Sequence, residues 1–161
     1  MKTRLIAAIL ATSVLAACSS TEPDAQATAA SASTPAADVT HPDISAQEDF
    51  RQSVGDRVHF ATDSAALSPE AMDSLREQAA WLRRNGGGSV IIEGHADERG
   101  TREYNLALGE RRATAVRDYL TAQGVAADRL RVVSFGKERP VCAEATPVCW
   151  AENRRAVTVI R

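Results

Sequence analysis

At 161 residues and a formal net charge of −2, the chain carries about one domain's worth of sequence and lacks the basic field that nucleic-acid binding requires. Only 4% of its residues are aromatic, so a core has to be built mostly from aliphatic side chains. Beyond one N-terminal apolar run, no stretch approaches the roughly 20 apolar residues of a membrane-spanning helix.

Met1 to Ala17 reads as an export signal: Lys2 and Arg4, the apolar run Leu5 to Leu15, then small residues. That run is too short to remain as an anchor. Its exit, Leu15-Ala16-Ala17-Cys18, is similar to the lipoprotein processing motif of bacteria. The similarity implies that Cys18 becomes the mature N-terminus, with diacylglycerol on its sulfur and an acyl chain on its nitrogen, and that no other cofactor is needed. The alternative is a secreted chain cleaved near Ala17 with a free Cys18. One acyl chain binds a membrane marginally and several bind it durably. Ser19, where the enterobacterial sorting rule would need Asp for inner-membrane retention, points to the outer membrane with the rest of the chain in the periplasm.

Residues 18–46 are expected to form a lipidated tether. From Ser19 to about Asp43 the sequence is rich in Ala, Ser, Thr and Pro with almost no large apolar residue, and it cannot bury enough surface to offset its chain entropy. About 25 such residues would span roughly 25–30 Å on average. Gln47 to Arg161 is expected to fold as one domain.

Within it, Val58 to Phe60 alternates as a short strand ending at the turn Thr62-Asp63-Ser64. Ser68-Pro69-Glu70 opens a helix with an N-cap hydroxyl, Pro at the first helical position and an acid in the first turn. Ala71, Leu75, Ala79 and Leu82 continue it until Gly86-Gly87-Gly88. Ser89 to Ile92 is a β-branched strand. Leu106, Gly109, Ala113, Val116 and Leu120 then mark one face of a long helix closed by Gly124. Leu130 to Phe135 and Ala156 to Ile160 are two further strands, Val157 and Val159 sharing a face of the last. Cys142 and Cys149, an even pair closing a short loop in an exported chain, are most simply a disulfide. The order β-α-β-α-β-loop-β predicts an α+β fold: a two-layer sandwich with helices on one side of a four-stranded mixed sheet.

The polar segment Glu93-Gly-His-Ala-Asp-Glu-Arg-Gly-Thr-Arg-Glu-Tyr-Asn-Leu-Ala-Leu-Gly-Glu-Arg-Arg-Ala113 joins the second strand to the long helix. With Val58 to Leu67, Val133-Ser-Phe-Gly-Lys-Glu-Arg-Pro140 and Asn153-Arg-Arg-Ala-Val157, it resembles the OmpA-like peptidoglycan-binding domain family over essentially the whole domain. The resemblance implies a wall ligand, the diaminopimelate of the peptidoglycan stem peptide, which carries an ammonium and a carboxylate. The family motif places the two receptor charges on Asp97 and Arg112; Arg suits a carboxylate through its planar fork. It also implies polar contacts from the turn at Asp63, apolar packing from Leu108, a supporting tie from Asn153 and Arg154, and partnership with TolB and other Tol-system proteins. Many family members carry an acid where this chain has Ala61, and the Cys142–Cys149 loop is not a general family feature.

From the residues alone, Asp97 reads equally as a loop cap, Arg112 as a solvated helix arginine, and Glu98, Arg99, Arg102 and Glu103 as a solvated polar loop. His95 has no second histidine at ligand spacing, so no metal site is expected. No Gly-x-Ser-x-Gly elbow or His-x-x-x-His pair is present, and an enzyme is not expected. A scaffold lipoprotein that shares the domain without binding the wall is the competing expectation.

Overall fold

A computed structural model describes residues 44–161. The export signal, Cys18 and the tether up to residue 43 lie outside the described residues. In chain order the elements are α1 (Ile44–Val54), β1 (Arg57–His59), α2 (Pro69–Arg84), β2 (Val90–His95), α3 (Arg102–Ala122), a 3₁₀ turn (Ala127–Arg129), β3 (Leu130–Gly136), α4 (Pro147–Asn153) and β4 (Arg155–Ile160). The sheet runs β1-β4-β2-β3. β2 and β3 are parallel, joined by the crossover helix α3, while β4 enters last and pairs antiparallel with both β1 and β2. This is the expected α+β sandwich with its mixed four-stranded sheet.

The helix signals act as their chemistry requires. Ser68 accepts from the Ala71 N–H at 3.2 Å and Pro69 begins α2. Thr101 caps α3 in the same way, accepting from Tyr104 N–H. Gly124, with φ of +89°, closes α3 as Val125 N–H reaches back to the Leu120 carbonyl. Phe50, Leu75, Leu82, Val90, Ile92, Val116 and Leu120 form the centre of the core.

Two helices were not expected. α1 begins ahead of Gln47, and its narrow apolar stripe of Ala46, Phe50 and Val54 has Phe50 as its one large core side chain. It docks because Phe50 meets Trp81 edge-on at 5.1 Å and the Trp81 indole donates to Asp49. α4 begins inside the cysteine loop, runs four residues beyond Cys149, and is capped by Thr146. The bridge between Cys142 and Cys149 closes that loop, with their Cα atoms 5.0 Å apart.

One placement differs from the sequence expectation, and one is refined. Leu106 is 44% exposed, and the buried stripe of α3 runs through Asn105, Leu108, Gly109, Arg112, Ala113, Val116 and Leu120. The polar Asn105 and Arg112 disguise that stripe. On β4, Val157 and Val159 do share a face, but Ala156, Thr158 and Ile160 are the residues that point into the core.

Gly94 on β2 and Gly109 on α3 set how closely helix and sheet approach. A Cβ at Gly94 would collide with the Gly109 carbonyl, and one at Gly109 with Ser134 and the Gly94 backbone. Gly94→Ala is therefore expected to cost about 2–4 kcal/mol of unfolding free energy, measured by urea denaturation.

Candidate functional site

The site is assembled where β2 ends. The β2–β3 register shifts between Gly94 and His95, with Phe135 of β3 as the extra residue, and the chain leaves the sheet after Ala96, whose N–H still donates to the Gly136 carbonyl. Asp97 then folds its own loop: Oδ1 accepts the Arg99 backbone N–H at 3.1 Å. Lys137 holds the far side, donating to the carbonyls of Glu98 and Gly100, and the Asn105 amide donates to the Arg99 carbonyl. Opposite lies the turn after β1. There Asp63, the one non-glycine residue with positive φ among those described, has its carboxylate bonded by the Tyr104 hydroxyl.

Between these walls lies an open groove of about 300 Å³, lined by Asp63, Asp97, Arg99, Tyr104, Asn105 and Leu108 among others. The structure thus brings Asp63, Asp97 and Leu108 together at one surface, with Leu108 only 5% exposed.

Arg112 is placed differently from both sequence readings. It is neither a solvated helix arginine nor a free cation in the groove, being 0% exposed beneath it. Nε donates to the Ser64 carbonyl at 2.8 Å, Nη1 to His95 at 2.8 Å and Nη2 to Ala61 at 3.1 Å, with the Phe60 ring 5.3 Å away. The guanidinium therefore ties the turn at 61–64 to the end of β2. Burial, then the Arg154 charge, lower its pKa to about 10 against the opposing pull of Asp97 and Asp63. It remains protonated at neutral pH and supplies positive potential under the groove.

Of the loop read as solvated, Glu98, Arg99, Arg102 and Glu103 are all exposed, and Arg99 also forms part of the wall. Arg99 grips Asp97 with Nε at 3.0 Å and Nη2 at 2.7 Å, and it lies over the Trp150 ring at 4.3 Å. Glu98 accepts from the Trp150 indole. Arg154 makes a supporting tie, donating to Phe60 O and to Asp97 Oδ2. Asn153 instead fastens the cysteine loop, through Val141 and Cys142. Burial alone would raise the Asp97 pKa, but the bonds and charge from Arg99, helped by Arg154, outweigh it and hold the carboxyl below the ordinary value. Asp-x-Arg spacing after a strand was the available sign of the Arg99 pairing. Trp150 lay too far along the chain to be found.

Fold and groove together define an α+β domain with an open groove whose walls carry both signs of charge. The chain belongs to the OmpA family, whose model matches residues 59–154. It is 54% identical over 114 residues to the peptidoglycan-associated lipoprotein of Agrobacterium fabrum, covering 71% of this chain and 64% of that relative. The chain thus spans slightly less than two thirds of that relative's length. Its fold matches the crystal structure of the peptidoglycan-associated lipoprotein from Burkholderia pseudomallei with a TM-score of 0.64 at 40% identity, covering 66% of this chain and 90% of that one. The cell wall anchor of the T6SS from Pseudomonas aeruginosa matches with a TM-score of 0.55 at 30% identity, over 70% of this chain and 92% of that one. Families of this kind are structural proteins and not enzymes.

His95, just behind the groove, is 2% exposed, and its ring stacks on Phe135. Burial, then the charges of Arg155 and Arg139, lower its pKa to about 4. The unfolded chain would bind this proton near the ordinary value of 6.5, so between pH 6.5 and about 4 it holds more protons than the folded chain. Stability should fall as pH falls through that window, by on the order of 3 kcal/mol from this residue, and the slope should vanish below it. An NMR titration of the His95 ring, expected to show a midpoint near pH 4, checks the cause.

Proposed function

We propose that this chain is an outer-membrane lipoprotein that binds peptidoglycan non-covalently through the diaminopimelate of the stem peptide. Cys18 would carry the N-acyl and S-diacylglycerol lipid, the tether up to residue 43, shorter than expected because α1 begins at Ile44, would span from membrane to wall, and the domain would hold the wall from the periplasm. The observation that carries this reading is the charge arrangement of the groove. Asp97 and Asp63 stand within reach of a ligand ammonium, while Arg99 at the wall and Arg112 below offer a field for its carboxylate. Leu108 provides an apolar floor for the methylene chain between them. Relatives named peptidoglycan-associated lipoprotein support the ligand class.

By the same kinship the chain would act in the Tol–Pal system, with TolB competing for this surface and other Tol proteins completing the partnership. Alternation between wall-bound and Tol-bound states would then support envelope constriction during division.

One observation favours a scaffold without wall binding: the Asp97 carboxylate is already engaged by Arg99 and Arg154. Sedimentation of the full-length chain in detergent with purified sacculi separates the readings. Wild type is expected to pellet, and Asp97→Asn, folded by circular dichroism, to lose at least about tenfold in affinity, the scale of one charge-assisted bond. Folded wild type that stays in solution favours the scaffold.

A further inference from the structure

Asp97 has no room for another donor. A carboxylate offers about four lone-pair sites. Here Oδ1 takes the Arg99 backbone N–H and Nε, and Oδ2 takes Arg99 Nη2 and Arg154 Nη1. If the groove binds an ammonium at Asp97, as the reading above requires, one of these donors has to leave. The two guanidiniums differ in their freedom. Arg154 has a side chain only 13% exposed and is bonded at its base to Phe60 O, whereas the Arg99 side chain is 42% exposed.

Arg99 also has a second resting place. Its guanidinium carbon lies 4.3 Å from the centroid of the Trp150 ring, on α4. Trp150 is fixed from several directions: its indole N–H holds Glu98, its neighbour Cys149 is bridged to Cys142, and Asn153 bonds both sides of Cys142. A seven-residue helix has little independent stability, so these attachments determine where the ring stands.

We propose that Arg99 is a displaceable clamp on Asp97, and that Trp150, held by the Cys142–Cys149 loop, is the platform that keeps the freed guanidinium at the groove. In the free chain Arg99 neutralises Asp97. When a ligand ammonium takes the carboxylate, Arg99 releases its two side-chain bonds, stays stacked on Trp150 and turns its N–H groups to the ligand's carboxylate. The ligand class is therefore a zwitterion, since an amine alone would lose this return contact. Trp150 is a positioning residue that acts through Arg99.

The test is ¹⁵N NMR of the full-length chain in detergent micelles, titrated with a disaccharide tripeptide that contains meso-diaminopimelate. On saturation the Arg99 Nε–H resonance should leave its Asp97-bonded position while the ring-current shift of its Cδ protons by Trp150 persists. Trp150→Ala should abolish the ring-current shift and weaken binding about two- to fivefold, the scale of an exposed cation–π contact. Trp150→Phe, which keeps an aromatic face, should recover most of the affinity. The wild-type resonances decide the matter even if Trp150→Ala does not fold. Binding that moves the Asp97 carboxyl carbon but leaves the Arg99 Nε–H in place would overturn the clamp alone. Failure of the muropeptide to bind at all would overturn the wall reading and the clamp together.

Discussion

A guanidinium shut away from water costs several kcal/mol unless its N–H groups find acceptors, and at Arg112 the acceptors are three backbone carbonyls from two separate segments. Ala61 and Ser64 belong to the turn after β1, and His95 ends β2. Arg112 holds the turn at its present distance from the strand together with Arg154, which bonds Phe60 O and Asp97, and Tyr104, which bonds Asp63. The turn carries Asp63, and the strand end carries Asp97. A buried cation that does not line the groove thus helps to set the spacing of the two groove carboxylates.

That cation can reach the strand only because α3 lies unusually close to β2. Gly94 and Gly109 face each other with no side chain between them. A bulkier residue at either position would lift the helix and carry the Arg112 side chain away from the His95 carbonyl. Past the register shift that leaves Phe135 of β3 unpaired, β2 ends, and Asp97 and Arg99 line the groove with the first turn of α3. Packing, backbone geometry and charge converge on one surface, and the frame of the groove stands in the free chain.

The scaffold was largely legible in the sequence because its signals are local. Ser68-Pro69-Glu70, the glycines at 86–88 and Gly124 each act within a few residues of where they stand, and the β-branched runs mark their strands. The elements that were not legible depend on distant partners. α1 is helical in place because Phe50 finds Trp81, and α4 because Cys149 and Asn153 find Cys142. The same limit governs the site. Asp63, Asp97 and Leu108 were placed by family resemblance, and the structure gathers them. The buried state of Arg112 could not be read, because helical spacing does not distinguish an arginine on solvent from one whose carbonyl acceptors lie 48 and 51 residues away. Trp150 beneath Arg99 was hidden for the same reason.

The account rests on Arg112 as the frame under the groove, and the Arg112 Nε–H reports on that most directly. Its hydrogen exchange can be followed by ¹⁵N NMR in the full-length chain, with and without a diaminopimelate-containing muropeptide. A buried bond to the Ser64 carbonyl predicts slow exchange in the free chain and an unchanged resonance on binding. Rapid exchange in the free chain, or a resonance that shifts as the ligand carboxylate replaces Ser64, would make Arg112 a direct ligand contact and contradict the account.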